Sequence, residues 1–497
     1  MKRLLFIVLC IIFIACESKL ETPTEKRNYS QPATSGEVKD FAKKAAGISD
    51  YLSYEVFGKS YNDKDLFVVK ASKPPVSENN KLRVLLFAQQ HGNEQSGKEA
   101  LMLLLRDIAL GVHDDLLDNV VLWIVPQVNP DGGDKNERRN DAGIDLNRDH
   151  VVKEAPETRY LHDLFWDIRP HVTADIHEYF PYRESWEEFG GYKNFDVQVG
   201  APTNINIDED IRDFALNEVM PHIEKRLNAK GYSFHNYIVG PVPTEGRTRH
   251  STVDFDDGRQ GFGILNTLSF IYEGINGTDG YVENLERRAD SQYEALLALI
   301  DYLNDNYKRT IELVQEGRQN LVNAEAGEKI AVRLEHFPDG SKLELPLKSS
   351  KTGKDTLIII ENYHPKVKAT LEVKRPKAYL VPKNDSLLAG FLELHNIKYK
   401  SEYDLDNKSV KAYRINRIAL SEDEELENRR PEVSLTDYTG NEITENFYFI
   451  PVNQLHANFL VSVFEPESML GLAQRPGYKD IIQEGEVYPV LRVERKY

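Results

Sequence analysis

The fold is decided by one stretch of sequence, LRVLLFAQQHGNE at residues 82–94. Residues 82–90 are mainly apolar, which is typical of a strand that is buried on both faces. Residues 96–110 (SGKEALMLLLRDIAL) then have the apolar spacing of a helix, with Ser96 as a candidate N-cap. A buried strand that leads into a helix is the first unit of an α/β sheet, and such sheets bind ligands at the carboxyl ends of their strands.

The same alternation of strand and helix continues along the chain. We predict strands at residues 120–125, 172–176 and 267–272, and helices at 158–168, 211–230 and 281–315. This pattern predicts an α/β domain at residues 41–324, with a mixed, largely parallel sheet that is flanked by helices. Short strand-like runs between Gly, Asp, Asn and Pro clusters then predict a smaller, mostly β accessory domain at residues 325–497.

The composition is that of an acidic globular chain. Its 497 residues include 62 Lys+Arg and 80 Asp+Glu, a formal charge of −18. With 40% apolar and 29% charged residues, the chain has enough apolar side chains to build cores. The acidic balance argues against a nucleic-acid partner, which would select a basic surface.

The two cysteines, Cys10 and Cys16, both lie at the N-terminus. They leave the folded body without a disulfide framework, a cysteine-ligated zinc or a cysteine nucleophile. Residues 1–15 have the pattern of a signal peptide, and Phe-Ile-Ala-Cys16 resembles the lipobox of bacterial lipoproteins. We therefore expect lipidation at Cys16, a polar tether over residues 16–40 and a lipid-anchored location in the bacterial cell envelope, with the membrane bound through the anchor only. The alternative is an ordinary cleaved signal peptide.

Candidate chemistry follows the predicted strands. His91 and Glu94 stand three residues apart at a strand–helix junction, a spacing at which both side chains can bind one metal ion. His177 and Glu273 occupy similar positions after apolar runs. Residues 128–132 (VNPDG) form a turn pattern, and the loop at residues 138–149 (RRNDAGIDLNRD) is a candidate anion site because Arg binds carboxylates in a bidentate manner.

Taken in order, these residues resemble the zinc carboxypeptidases, the M14-type metallopeptidases with the pattern HxxE…R…NR…H…E, over about residues 45–305. The resemblance implies one Zn²⁺ per chain with His91, Glu94 and His177 as its ligands. It also implies that Glu273 is the catalytic carboxylate. Asp175 is either a polar residue at the strand end or a partner that orients His177.

The resemblance also assigns roles to the arginine-rich loop. It implies that Arg138, or alternatively Arg139, stabilises the developing oxyanion, and that Asn147 and Arg148 hold the terminal carboxylate of a substrate. The family has a tyrosine on a mobile loop before the catalytic glutamate, whereas this chain has no tyrosine between Tyr237 and Tyr272. Arg259 or His250 supplies that substrate contact, or the contact is absent.

The expected function is a zinc-dependent metallocarboxypeptidase that acts on peptides or proteins with a free C-terminus. Wall peptides are an alternative substrate class, and an amidohydrolase of the related deacylase branch is an alternative activity. A catalytically inactive binding lipoprotein is the third class, although the presence of Glu273 and all three ligand types argues against it.

Overall fold

The structure, a computed structural model, describes residues 20–74, 80–420, 429–440 and 443–495. The predicted signal peptide and Cys16 lie outside these residues. In chain order the strands are β1 (Leu52–Lys59), β2 (Asp65–Ala71), β3 (Leu82–Ala88), β4 (Val120–Val125), β5 (Val172–Tyr179), β6 (Gly191–Lys193), β7 (Val197–Gly200), β8 (Phe234–Asn236), β9 (Ile238–Val239), β10 (Thr248–His250), β11 (Leu268–Ile275), β12 (Lys329–Phe337), β13 (Leu343–Ser349), β14 (Asp355–Ile360), β15 (Tyr363–His364), β16 (Lys366–Lys374), β17 (Ala378–Pro382), β18 (Lys408–Leu420), β19 (Arg429–Asp437), β20 (Phe447–Pro451) and β21 (Leu491–Arg495). The helices are α1 (Ser35–Ala46), α2 (Ser96–Ala109), α3 (Pro130–Lys135), α4 (Pro156–Ile168), α5 (Glu184–Phe189), α6 (Glu209–Phe214), α7 (Met220–Ala229), α8 (Gly258–Gly263), α9 (Leu285–Asp305), α10 (Tyr307–Val322), α11 (Ser386–Leu394), α12 (Ile443–Asn446) and α13 (Ala457–Phe464).

A mixed sheet with the strand order β1-β2-β4-β3-β5-β11-β7-β8 forms the centre of the N-terminal part. Its central strands β4, β3, β5 and β11 are parallel, whereas β1, β2 and β7 add antiparallel pairs on either side. The mixed, largely parallel sheet of the sequence prediction is thus confirmed. β4 lies on one side of β3, and β5 and β11 lie on the other. Because these strands are parallel, the segments that follow β3, β5 and β11 meet at one edge of the sheet.

Helices cover both faces of this sheet. On one side α2 and α9 pack against each other and against β5 and β11, and on the other side α8 and α10 contact the sheet. Strand β3 is buried except at Arg83, as is expected for a parallel strand that is covered on both faces. Polar side chains of the central strands therefore reach solvent only at the two ends of the sheet.

The C-terminal part is mostly β, as predicted, and it is joined closely to the rest. Helix α10 ends at Val322, and β12 begins at Lys329. A five-stranded antiparallel sheet has the order β19-β18-β21-β17-β20, with α11 and α13 packed nearby. Two further pairings, β13 with β6 and β15 with β10, cross from this part into the N-terminal part, so the two parts share sheets.

The expected polar tether differs from the structure. Leu20 and Ala33 are buried, and the Ala33 amide donates to Glu99 in α2 at 2.8 Å. Helix α1 begins at Ser35, inside the range expected for the tether, and Thr34 caps it. The polar residues of this segment are satisfied by specific partners, as in the Arg27–Glu37 ion pair of 2.8 Å, and this allows the segment to pack.

Two predicted helices are interrupted. Residues 281–315 do not form one helix, because Asn306 separates α9 from α10 and its side-chain amide donates to the Tyr302 carbonyl oxygen at 2.9 Å. Residues 211–230 are divided by a π-helical turn at Ala215–Val219 that precedes Pro221, which has no amide hydrogen to donate. No helix in the described part of the chain has the length and apolar character needed to cross a bilayer.

Strands β5 and β11 are longer than the sequence predicted. They pair in parallel from Val172 and Leu268 up to Tyr179 and Ile275. His177 and Glu273 therefore lie within these strands, at paired positions, and not beyond their ends. The two strands extend into residues with polar side chains because each strand gives the other's backbone N–H and C=O groups their hydrogen-bond partners.

Candidate metal centre and active site

Three side chains converge at the carboxyl edge of the sheet. His91 and Glu94 lie on the loop between β3 and α2, and His177 lies in β5. Their ligand atoms all lie within 4.8 Å of one another, and all three residues are buried. Glu94 Oε1 is 2.7 Å from His91 Nδ1, and Glu94 Oε2 is 2.7 Å from His177 Nδ1. We call these three residues the metal cluster.

The donor set of the metal cluster fits zinc. The two Nδ1 atoms lie only 3.2 Å apart, and a single proton cannot satisfy both of them together with the carboxylate. Burial alone would raise the pKa of Glu94, but His91 and His177 lower that pKa below its usual value. Two imidazoles and one carboxylate are a typical set of protein ligands for a catalytic zinc ion, which keeps a further coordination position open.

Each histidine of the metal cluster has a carboxylate behind it. Asp175 Oδ1 lies 2.8 Å from His177 Nε2, and Asp145 Oδ1 lies 3.1 Å from His91 Nε2. Burial opposes protonation of His177, but Asp175 and Glu94 raise its pKa well above the usual value. Of the two interpretations of Asp175, the geometry favours the partner of His177, and such partners orient metal-binding imidazoles.

The loop that carries His91 is held by the Asn-Pro-Asp-Gly turn. Gly92 contacts the backbone of α3 so closely that a Cβ there would lie 2.1 Å from the carbonyl carbon of Gly132. The Gly92 amide also donates to the Arg138 carbonyl oxygen at 3.2 Å. The turn at residues 128–132, which the sequence marked only as a loop signal, therefore fixes the position of the metal-binding loop.

Arg138 lies beside the metal cluster, and Arg139 does not. Arg138 Nε donates to Asp145 Oδ2 at 2.9 Å, and Arg138 Nη1 lies 3.2 Å from His91 Nδ1. The Arg138 side chain is 43% exposed, so a bound molecule has access to it. Arg139 instead donates to the Gly143 carbonyl oxygen within its own loop. Of the two arginines, only Arg138 has the position that an oxyanion contact requires.

Glu273 lies next to His177 on the neighbouring strand. The two residues are paired in the register of β11 and β5, which places their side chains on the same face of the sheet. Glu273 is 8% exposed, and burial is the main reason that its pKa is raised to about 7. A carboxylate with this pKa is suited to accept and return a proton near neutral pH.

Asn147 and Arg148 form one turn of 3-10 helix in the arginine-rich loop. Asn147 Oδ1 accepts from Gln90 Nε2 at 3.1 Å and from the Gly258 amide at 2.8 Å, which fixes the side chain. Arg148 is an exposed residue. Burial by itself would lower the pKa of its guanidinium, but Asp256 and Asp145 raise that pKa above its usual value. Gln90 also donates to Asp175 at 2.9 Å and so connects this turn to the metal cluster.

Of the two candidate contacts in the loop region before β11, His250 lies in β10 and is half-buried, and Arg259 lies in α8. Arg259 is fully buried and donates to the hydroxyls of Ser251 and Thr252, while its guanidinium stacks 5.5 Å from the ring centre of Tyr237. Burial, followed by the nearby Arg259, lowers the pKa of His250 to about 4. Arg259 thus stabilises the loop from the inside.

Tyr237 is a residue of this site that the sequence analysis did not single out. It is half-buried, and Gly200 lies so close to it that a Cβ there would be 3.1 Å from the Tyr237 Cβ and 2.8 Å from the Ile271 side chain, so a glycine is needed for this close packing. Burial and then the charge of Glu273 raise the pKa of Tyr237, while Arg259 and Arg148 oppose this. No local sequence pattern marks Tyr237, because it follows β8, which β7 separates from Glu273 on β11, and the two residues lie far apart in the sequence.

Comparison with known proteins agrees with this geometry. Residues 38–188 match the family model described as zinc carboxypeptidase. The chain is 24% identical to carboxypeptidase 2 of Trichophyton tonsurans over 502 residues, which covers 95% of this chain and 89% of that protein. It is 31% identical to carboxypeptidase SOL1 of Arabidopsis thaliana over 155 residues, which covers 28% of this chain and 31% of that protein.

Solved structures of metallocarboxypeptidases also align with it. Carboxypeptidase A from Helicoverpa armigera has a TM-score of 0.45 at 15% identity, over 56% of this chain and 75% of that chain. The metallo-carboxypeptidase of Pseudomonas aeruginosa in complex with (2-guanidinoethylmercapto)succinic acid has a TM-score of 0.44 at 18% identity, over 57% and 71%. By the family model over residues 38–188 and by the curated relatives, the chain is similar to the zinc carboxypeptidases, and the metal cluster has a donor set that fits their metal.

Proposed function

We propose that this protein hydrolyses the last peptide bond of peptides or proteins with a free C-terminus. The observation that carries the proposal is the arrangement of the sheet edge, where Glu273 pairs with His177 and Arg138 contacts His91. A proton acceptor and an exposed guanidinium thus flank the residues that would hold zinc. These are the parts that hydrolysis of an amide bond requires.

The chemistry divides between the metal and the chain. When bound by His91, Glu94 and His177, zinc supplies a Lewis acid that polarises a carbonyl group and lowers the pKa of water toward about 7. Glu273 accepts a proton from the attacking water on a carboxylate oxygen and returns it to the leaving amine. Arg138 donates to the oxygen on which negative charge develops, an interaction class worth about 3 kcal/mol per donor.

Recognition of the substrate end is assigned to the arginine-rich loop. Arg148 is an exposed residue whose Nη1 donates to the Asn147 carbonyl oxygen at 2.7 Å. The Asn147 side chain is held by Gln90 and Gly258 next to it. Together they would bind a terminal carboxylate through charge-assisted hydrogen bonds. This contact positions the last peptide bond, and no internal bond, beside Glu273.

A pair of peptides tests the proposal. The zinc-loaded protein is incubated with one peptide sequence carrying either a free or an amidated C-terminus, and the products are read by mass spectrometry. We expect stepwise loss of single C-terminal residues from the free peptide, no cleavage of the amidated one and no cleavage after zinc is removed by a chelator. Internal cuts, or turnover of N-acyl amino acids alone, would contradict it.

We also propose that the enzyme is anchored in the bacterial envelope through Cys16. Four residues connect Cys16 to the buried Leu20, a reach of at most about 14 Å, so the catalytic part would lie close to the membrane. Cys16→Ser should move the protein from the detergent phase to the aqueous phase on phase separation. Cys10→Ser is the matched control and should leave the anchored form unchanged, whereas a detergent-phase Cys16→Ser variant would refute the anchor.

A further inference from the structure

A cavity lies at the end of the sheet opposite the metal cluster. Its volume is about 770 Å³, and it opens between the N-terminal part and the C-terminal β part. On the N-terminal side it is lined by Arg83, Trp166, Arg169 and Arg318, and on the other side by Lys398 and His456. We call it the arginine cavity. Nothing assigned above to catalysis lies in it.

Two of the three arginines in this cavity donate to two consecutive backbone carbonyls, one of which belongs to the third arginine. Arg83 Nη2 donates to the Arg169 carbonyl oxygen at 3.0 Å, and Arg318 Nη2 donates to the Pro170 carbonyl oxygen at 2.6 Å. Arg169 itself follows α4 with a φ of 48°, a left-handed position at which glycine or asparagine is more usual. Its guanidinium lies 5.9 Å from the ring centre of Trp166, which also lines the cavity.

This cationic group has no partner of opposite charge. Among the described residues, no carboxylate forms an ion pair or hydrogen bond with Arg83, Arg169 or Arg318. Asp163 and Asp167 also line the cavity, without contacting these arginines. Arg318 Nε is buried and has no hydrogen-bond partner in the described part of the chain.

The like charges disfavour one another's protonated forms. Burial, then Arg83 and Arg169, lowers the pKa of Arg318 to about 9. Burial and then Arg169 also lower the pKa of Arg83. In a chain with a formal charge of −18, three mutually repelling arginines that form no ion pair with a described carboxylate make a site that a bound anion would stabilise.

We propose that the arginine cavity binds a multiply charged oxyanion of the phosphate class. Guanidinium groups bind phosphate in a bidentate manner, and Lys398 adds a fourth cation from the opposite wall. The cavity volume lies within the range of small-ligand sites, about 300–1,000 Å³, so it accommodates more than a single phosphate. The rings of Trp166 and His456, whose centres lie 5.0 Å apart, form an aromatic surface suited to contact an organic part of the ligand.

Calorimetry with inorganic pyrophosphate tests this site. The zinc-loaded full-length protein is titrated at constant ionic strength, with Arg169→Gln as the diagnostic variant, because Arg169 is exposed and its side chain donates no hydrogen bond to the described residues. We expect at least a tenfold loss of affinity in Arg169→Gln, unchanged peptide turnover and an unchanged or higher melting temperature without the anion. Lys398→Gln provides a second variant from the other wall and should also weaken binding.

Two controls separate this site from other cations. Arg417→Gln removes the same charge from an exposed strand position and should bind pyrophosphate like the parent protein. Arg148→Gln removes the arginine of the catalytic edge and should also retain binding. Binding that is lost only in Arg148→Gln, or no pyrophosphate binding by the parent protein together with no binding to vesicles, would overturn the proposal.

Vesicles identify the source of the anion. Phosphatidylglycerol vesicles present the same phosphate chemistry as a lipid headgroup. Pyrophosphate binding that is sensitive to Arg169→Gln assigns a soluble ligand. Vesicle binding with the same sensitivity, and without pyrophosphate binding, assigns a headgroup instead, provided that the protein carries Cys16→Ser so that its anchor does not contribute.

Discussion

Strands β3, β5 and β11 carry opposite kinds of charge arrangement at their two ends. At the carboxyl end, His91, Glu94 and His177 lie within hydrogen-bond distance of one another, and carboxylates support both histidines. At the amino end, the arginines form no ion pair with a carboxylate of the described residues, although Asp163 and Asp167 line the same cavity. The donor set at the carboxyl end suits a cation and the guanidinium groups at the amino end suit an anion, so the same sheet offers two sites of opposite charge preference.

The difference shows what can be inferred from charge balance. At the metal cluster, anionic Glu94 and the two imidazoles require a positive ion, and the family comparison identifies it as zinc. At the arginine cavity, the unpaired charge of the arginines and the size of the cavity indicate an anionic ligand.

The largest effect is expected from Glu273→Gln. Loss of the proton acceptor should lower kcat by about a hundredfold to ten-thousandfold, because general acid–base catalysis contributes that much. Zinc content, measured by mass spectrometry of the metal, should be unchanged because Glu273 is not in the metal cluster. The exposed Glu245→Gln is the matched control, and near-normal turnover by Glu273→Gln would remove Glu273 from the mechanism.

Arg148→Gln should act on substrate recognition. Loss of a charge-assisted contact of about 2 kcal/mol should lower kcat/KM for free C-termini by roughly thirtyfold. Arg139→Gln, in the same loop but directed to Gly143, is the control and should behave like the parent protein. Steady-state kinetics on both variants decide the matter, and equal losses in the two would assign the contact elsewhere.

Asp175→Asn should weaken metal binding. The carboxylate lies 2.8 Å from His177 Nε2, and the loss of such a partner reduces zinc affinity by about 10- to 100-fold. Competition with a chromophoric chelator measures this, with the exposed Asp480→Asn as control. Unchanged zinc affinity would reduce Asp175 to the strand-end polar residue of the alternative interpretation.

The smallest effect concerns the arginine cavity. Asp167 lines the cavity as one of its two aspartates, so Asp167→Asn should tighten pyrophosphate binding by about two- to fivefold, in line with an exposed charge interaction of up to about 1 kcal/mol. Calorimetry compares it with Asp480→Asn, which should have no effect. Weaker pyrophosphate binding by Asp167→Asn would contradict an anion site in which this carboxylate only repels the ligand.

Local sequence was enough for the core of the sheet but not for its details. The strand at residues 120–125 was predicted with its observed bounds, because a run such as VVLWIV has no competing pattern. The break at Asn306 was missed because its cause is a side-chain hydrogen bond to the Tyr302 carbonyl oxygen. The packing of residues 20–34 was missed because their contacts, such as Ala33 with Glu99, lie far apart in the sequence.

For this protein, the sequence by itself determined the α/β class and the order of the candidate site residues, since periodicity and motif spacing are local properties. Only the tertiary structure decided that Arg138, and not Arg139, contacts the metal cluster, and that Asp145 and Tyr237 belong to the same edge. It also brought Arg83, Arg169 and Arg318 into one cavity. Contacts between residues on separate strands depend on sheet order and register, which no short stretch of sequence specifies.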